Sequence, residues 1–291
     1  MTAMMSYARA GMPPVDALKE APVYLGYDID HGTTMAAPVE MKAVCTAEQM
    51  EAGHVLILTG RMLHLLKEDP SMNMELARKY APYLSFDRKE PFYPALTGVT
   101  FLKEGDNSPS FRRSFYWEDY PGATVIEYAL YWDYDIQHMY DLEHVWIYVG
   151  RHGEVLDAEA SFHGKYLKGL LPDRSNLEEE THVRLYSQPG KHAFLPKPEL
   201  FELVPDLRKA TKERAGVGGL LITGPMEGVL EKEEGTDLLV EKYLFSEGFI
   251  PSMEFIPYTL TDDQFVSWEV LSLAIPERIE ACLNELRSLS L

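Results

Sequence analysis

The chain has 291 residues, 46% hydrophobic and 25% charged, which is long enough for one large domain or two modest ones with a sizeable core. Its 46 Asp and Glu against 27 Lys and Arg give a formal net charge of -19, a field that repels nucleic acid and anionic membrane surfaces and attracts divalent cations. With no basic run in the chain, nucleic acid is excluded as an expected partner, and no stretch approaches the roughly 20 apolar residues of a membrane span.

The opening MTAMMSYARAGMPPVDALKE has neither a basic region followed by an apolar run nor a small-residue cleavage signal. Cys45 and Cys282 are far apart and form no C-x-x-C pair, so no disulfide framework is expected. Cys282 shares a helical stripe with Ile279, Leu283 and Leu286 and reads as a small hydrophobe. A reduced, cytoplasmic protein is the expectation.

Turn formers dominate residues 1–40, with one short apolar run from Val23 to Tyr27 and a solvated loop holding Asp28, Asp30 and His31. Thr46 to Gln49 fits a capping box. Behind it, Met50, Val55, Leu58, Met62, Leu65 and Leu66 keep close to helical spacing until Pro70, with His54 and His64 as ordinary helix positions. A second helix, MNMELARKYAPYL, is predicted to end before Pro82.

Strand signals follow. SFDRKEPFYPALTGVTFL reads as strand, turn and strand, and SPSFRRSFYW continues the theme. In ATVIEYALYWDYD, Val125, Glu127, Ala129 and Tyr131 share one face while Ile126, Tyr128, Leu130 and Trp132 share the other. A hinge at Asp135 to Tyr140 leads to the strand EHVWIYVG, then a turn, the strand VLDAEASF, the acidic loop NLEEE and the strand HVRLYS. Beyond residue 195, LPKPELFELVPDLRKATKERAGVGG mixes helix signals with prolines, and GPMEGVLEKEEGTDLLVEKYLFSEGF reads as an acidic surface excursion. IPERIEACLNELRSLSL is an amphipathic helix with proline near its start. The expected fold is mainly β, an antiparallel β-sandwich with helical additions at the N- and C-terminal ends. It forms one decorated domain over 1–291, with the core at 80–195 and the additions at 1–79 and 196–291.

Chemistry concentrates in the central strands. His138, Asp141 and Glu143 form H-x-x-D-x-E. Residues two apart on a strand point the same way, so Asp141 and Glu143 can aim at one point, and a loop can fold His138 onto it. Two carboxylates and an imidazole suit a divalent ion, Mg, Mn or Ca, with Zn also compatible. Asp133 or Asp135 upstream and His163 downstream can complete the set. His144 is predicted to pack beside Trp146 or to cap an edge, and His152 to be solvated in its turn. His192, beside Lys191 in PGKHA, can approach the site as an acid or base.

This pattern resembles the necrosis-inducing protein family, whose heptapeptide Gly-His-Arg-His-Asp-Trp-Glu supplies metal ligands inside a β-sandwich. His138, Asp141 and Glu143 match its first His, its Asp and its Glu; Gln137, Met139, Tyr140 and Leu142 replace the remaining four positions. His163 to Tyr166 matches a later His-Gly motif, and one of Asp133 and Asp135 matches an upstream Asp. YAPYLSFDRKEPFYP, residues 80–94, is similar to the Tyr-Ala-Pro and Glu-x-x-x-Pro opening of relatives typified by vacuolar protein sorting protein 62. The resemblance covers about Tyr80 to Ala193 and implies the sandwich and the cation site. The family's secreted toxins carry export signals and usually disulfides, which this sequence does not show, so a cytolytic role is not expected.

Two functions follow from a cation site. One is a metal-dependent hydrolase or lyase acting on a small polar or glycan-like substrate, with His163 or His192 as base or acid and Tyr131, Trp132 and Tyr134 lining the pocket. The alternative is a non-catalytic module in which the metal bridges to a glycan or headgroup, or a metal that is purely structural.

Overall fold

The structure, a computed structural model, describes residues 42–43, 57–58, 73–116, 120–222 and 230–288. The chain falls into two units, Met1–Asp69 and Pro70–Leu291. In the first, β1 (Lys42–Ala43) pairs antiparallel with β2 (Ile57–Leu58). The helix predicted from Met50 to Leu66 is therefore not continuous. Ile57 and Leu58 are strand, in keeping with a neighbourhood of β-branched Val55, Ile57 and Thr59. The capping box, the run from Val23 to Tyr27, and His31, His54 and His64 lie outside the described residues.

The second unit opens with α1 (Met74–Lys79), capped by Asn73, whose side-chain oxygen accepts from Leu76 N at 3.1 Å. As expected, the helix stops ahead of Pro82. There follow β3 (Tyr83–Asp87), β4 (Leu96–Leu102), β5 (Thr124–Tyr134), β6 (Met139–Val149), β7 (Val155–Phe162) and β8 (Lys165–Lys168). Next come β9 (Leu177–Glu178), β10 (His182–Ser187), β11 (Phe194–Leu195), α2 (Glu234–Glu247), β12 (Phe255–Tyr258), β13 (Phe265–Ser267) and α3 (Trp268–Ser288).

The strands form two sheets. One runs β11-β10-β3-β12 with β9 attached to β10, and the other β13-β4-β5-β6-β7-β8. Pairing is antiparallel except for β3 with β10 and β4 with β13, which are parallel. Each parallel pair joins strands far apart in sequence, where a long crossover is available. The sheets meet through Trp132 of β5, whose ring sits edge-on to Phe86 of β3 at 6.5 Å and tilted to Phe194 of β11 at 6.2 Å.

The alternation predicted for β5 holds, yet both of its faces are buried. On the outer face α3 covers one half: a Cβ at Gly98 of β4 would lie 2.8 Å from Leu271 Cδ2 and 3.4 Å from the Trp268 backbone, so this glycine allows the close approach. The other half is covered by the segment carrying Phe111 and Phe115, which packs with Val125, Trp146 and Tyr148. That segment reads as strand in the sequence, but among the described residues it pairs only through the isolated bridge Asn107↔Ser114. Its Arg113 turns inward instead, against the rings of Phe115, Trp146 and Tyr166 and the carboxylate of Glu159.

Two readings of the C-terminal region change. The acidic excursion contains the 14-residue helix α2, which buries Thr236, Val240 and Leu244 on one face. Helix α3 starts at Trp268, so Pro276 lies inside it rather than near its start. Asp133, a predicted metal ligand, faces this helix: Arg278 Nε and Nη2 reach its two oxygens at 2.9 and 2.6 Å. Asp133→Ala strands that guanidinium and is expected to lower stability by about 2–3 kcal/mol in urea unfolding, with divalent-cation affinity unchanged.

Candidate metal centre

The centre forms at one end of the sandwich, and the strand pairings dictate which loops meet there. Because β3 and β10 run parallel, with Tyr186 opposite Ser85, their C-terminal ends emerge side by side. The turn after β10, residues 188–192, therefore lies beside the loop after β3 that carries Glu90. In the other sheet Trp132 of β5 is opposite Asp141 of β6, and Leu130 opposite Glu143.

The turn is tightly specified. Gly190 and His192 both take left-handed backbone conformations, with φ of 68° and 59°, and Gly190 N donates to Glu90 Oε2 at 2.7 Å. A Cβ on Gly190 would meet Ile136 Cγ2 at 2.7 Å, so glycine is required for conformation and for space. The turn delivers His192 into the core, fully buried and stacked on Trp132 with ring centroids 4.5 Å apart. His192 Nδ1 is 3.1 Å from Asp141 Oδ2, and its Nε2 is 3.5 Å from Glu90 Oε1.

Asp135 enters from the hinge after β5. Its Oδ1 accepts from Gln137 N at 2.6 Å and Lys191 Nζ at 2.7 Å, with His138 Nε2 at 3.7 Å. Its Oδ2 is buried without a hydrogen-bond partner, as are Glu90 Oε1 and His192 Nε2. Asp135, Asp141 and His192 each bring a ligand atom within 4.8 Å of the others.

Glu143 sits behind Asp141. The ladder between β6 and β7 runs from Val149 as far as Val145↔Ala160 and then gives way. Ser161 fills the gap: its Oγ accepts the His144 N–H at 2.6 Å and donates to Glu143 Oε2.

Four carboxylates, Glu90, Asp135, Asp141 and Glu143, thus gather around Lys191 and His192. Burial, reinforced by the neighbouring charge of Asp141, pushes Glu143 up to about 8. Burial pulls His192 down, but the carboxylates of Asp141 and Glu90 outweigh it and raise the imidazole to about 10. For Asp141 burial acts upward, and the bond from His192 together with the charges of His192, His138 and Lys191 brings it below the usual range.

The predicted residues separate accordingly. Asp135, Asp141 and His192 converge, Glu143 lies next to Asp141, and His138 borders Asp135, its Nδ1 engaged with Tyr140 O at 3.0 Å. Asp133 is held by Arg278. His163 is exposed in the β7–β8 turn, its Nε2 2.8 Å from Gln188 Oε1, and the structure does not bring it into the cluster. Of the three aromatics expected to line a pocket, Trp132 stacks on His192, Tyr131 lies with Asp133, Arg278 and Cys282, and Tyr134 packs against Phe92 and Tyr243. His144 stacks on Trp146 as expected, with Nε2 2.9 Å from Ser110 Oγ, and burial takes it down to about 3. His152 is exposed. Glu90, the Glu of the Glu-x-x-x-Pro motif, and Ser161 also belong to the cluster, although no spacing in the sequence ties either to His138, Asp141 and Glu143.

Two oxygens and an imidazole nitrogen form a mixed hard donor set. His192 can coordinate only if an ion displaces the Nδ1 proton shared with Asp141; the Nε2–H then faces Glu90, an arrangement that fixes the ring and strengthens it as a ligand. The side chains of Asp141 and His138 remain 16% and 21% exposed, so the cluster has a solvent side.

Neither family models nor curated protein sequences match this chain. Among solved structures, a mutant of NLPPya is similar over 44% of this chain and 70% of its own, at 20% identity and a TM-score of 0.30. NLPPya in complex with glucosamine covers 43% and 68%, at 21% identity and a TM-score of 0.30. A structure described as a toxin fold as basis for microbial attack and plant defense covers 42% and 68%, at 20% identity and a TM-score of 0.29.

Two predictions follow from the charges. His192, raised from 6.5 to about 10, contributes stability that is complete below pH 6.5 and lost as pH rises through 10. Glu143, raised from 4.5 to about 8, contributes in the same sense below pH 8. In chelator, the melting temperature should therefore fall steadily from mildly acidic pH toward pH 10, and Glu143→Gln should flatten the part below pH 8. Separately, Gly190→Ala should cost about 2–4 kcal/mol in chemical denaturation, combining a strained φ with overpacking.

Proposed function

We propose that this chain is a divalent-cation-binding β-sandwich protein in which Asp135, Asp141 and His192 hold the ion and Glu90 orients His192. The observation that carries this reading is that one ligand atom from each lies within 4.8 Å of the others, and that Asp135 also holds a buried, unpartnered Oδ2. Buried carboxylate oxygens are costly without a partner, and a cation removes that cost. Oxygen-rich donors favour Mg, Ca or Mn over Zn.

The use of the site is better matched by binding than by turnover. His192, the acid or base expected from the sequence, is fully buried between two carboxylates and against Trp132, where it orients rather than exchanges protons with a ligand. The solvent side offered by Asp141 and His138 suits a hydroxyl-rich or anionic ligand such as a glycan headgroup, which a bound cation would draw by Lewis acidity. In this reading Lys191 and His138 flank the ligand, and Glu143, protonated near neutral pH, keeps the negative charge within what one divalent ion balances.

Titration with Ca or Mn should show one bound equivalent per chain and raise the melting temperature by about 5–10 °C at a hundredfold excess over Kd. The Asp135→Ala, Asp141→Ala double variant should lose both effects. Glycan-array binding should be abolished by chelator and restored by the metal. Glycan binding that persists in chelator would contradict the proposal, and metal-dependent turnover of ester, phosphodiester, amide or glycoside substrates would move the site to the hydrolase or lyase class.

A further inference from the structure

What occupies Asp135 before an ion does is a lysine from the same turn that carries His192. This inference rests on the cation-site reading and concerns its regulation. Lys191 Nζ lies 2.7 Å from Asp135 Oδ1, and the two side chains are only 13% and 1% exposed. The turn fixes this placement. Lys191 N donates to Gln188 O at 3.0 Å, Ala193 N returns to Lys191 O at 2.8 Å, and Ile136 N donates to Gly190 O at 2.9 Å, tying the turn to the residue after Asp135. One short turn therefore delivers an ammonium to Asp135 and an imidazole to Asp141, the two carboxylates of the proposed ligand set.

We propose that Lys191 is a tethered competitor of the divalent ion, which must leave Asp135 when the ion binds and then stands as a free ammonium at the mouth of the site. An ammonium and a divalent cation seek the same oxygens. Coordination at the unpartnered Oδ2 alone would leave both on one carboxylate, where burial leaves little water to screen their repulsion. Lysine suits this role because its charge sits at the end of a flexible four-carbon stem, so the head can swing toward solvent while the stem stays packed. Release couples two events: metal occupancy weakens in proportion to the lost ion pair, and an anionic group on an incoming ligand gains a partner only once the metal is bound.

The test compares wild type with Lys191→Met and Lys191→Arg by calorimetric titration of the full chain with MnCl2, and follows acylation of Lys191 by mass spectrometry with and without Mn. Lys191→Met should bind Mn at least tenfold more tightly than wild type, while Lys191→Arg stays as weak as wild type or weaker. In the wild-type protein, which involves no substitution that could disturb folding, acylation of Lys191 should rise severalfold on saturation with Mn. Equal or weaker Mn affinity in a folded Lys191→Met, or Lys191 labelling unmoved by Mn in a protein that binds it, would overturn the competitor role and leave the cation site standing. Absence of Mn binding in both wild type and Lys191→Met would overturn the site and the inference together.

Discussion

The pairing of His192 with Asp141 is the constraint on which this end of the molecule depends. One partner comes from the turn that joins β10 to β11 and the other from β6, so this ion pair, beside that of Lys191 with Asp135, ties the two layers together. Breaking a buried pair leaves a charge that the interior cannot solvate. Here the consequence spreads, since the carboxylate of Glu90 faces the same imidazole at 3.5 Å. Trp132 adds to this by laying its ring face parallel to the imidazole, a favourable position beside a protonated ring.

Much of the sandwich is legible from period two. The faces of β5 and the strand ends of β10 follow from alternation and turn residues alone. Alternation also separates Asp133 from Asp135 once α3 is known: Asp133 shares the face of Tyr131, which the helix covers, whereas Asp135 lies just past the end of β5 and is free of the strand's two-sided rule. What alternation cannot show is the pairing of distant strands. The choice between His163 and His192 turns on the parallel contact of β3 with β10, which sets the 188–192 turn beside Glu90 and leaves the β7–β8 turn outside. No local pattern encodes that contact.

The helices tell a similar story from the other side. In α2 the buried positions Thr236, Val240 and Leu244 recur every four residues, a legible stripe, but the surrounding charge and two glycines masked it. Pro276 suggested the start of α3, yet packing of Val270, Leu271 and Ala274 extends the helix upstream, so tertiary burial outweighs a local breaker. The inward Arg113 likewise belongs to a cover where the sequence reads as a strand, its guanidinium lying over three rings.

The borders of the two sheets bear on how this molecule meets its own kind. The outermost strand β12 contains Pro257, which has no N–H to offer a neighbour, and at the opposite border β11 is two residues long. In the other sheet β8 begins and ends with lysine, and β13 has three residues. A second copy trying to extend either sheet would find an interrupted row of donors, a stub or a repelling charge. Among the described residues, strand addition by a second copy at these rims is thereby disfavoured, even though the sandwich is rich in strand-forming aromatics.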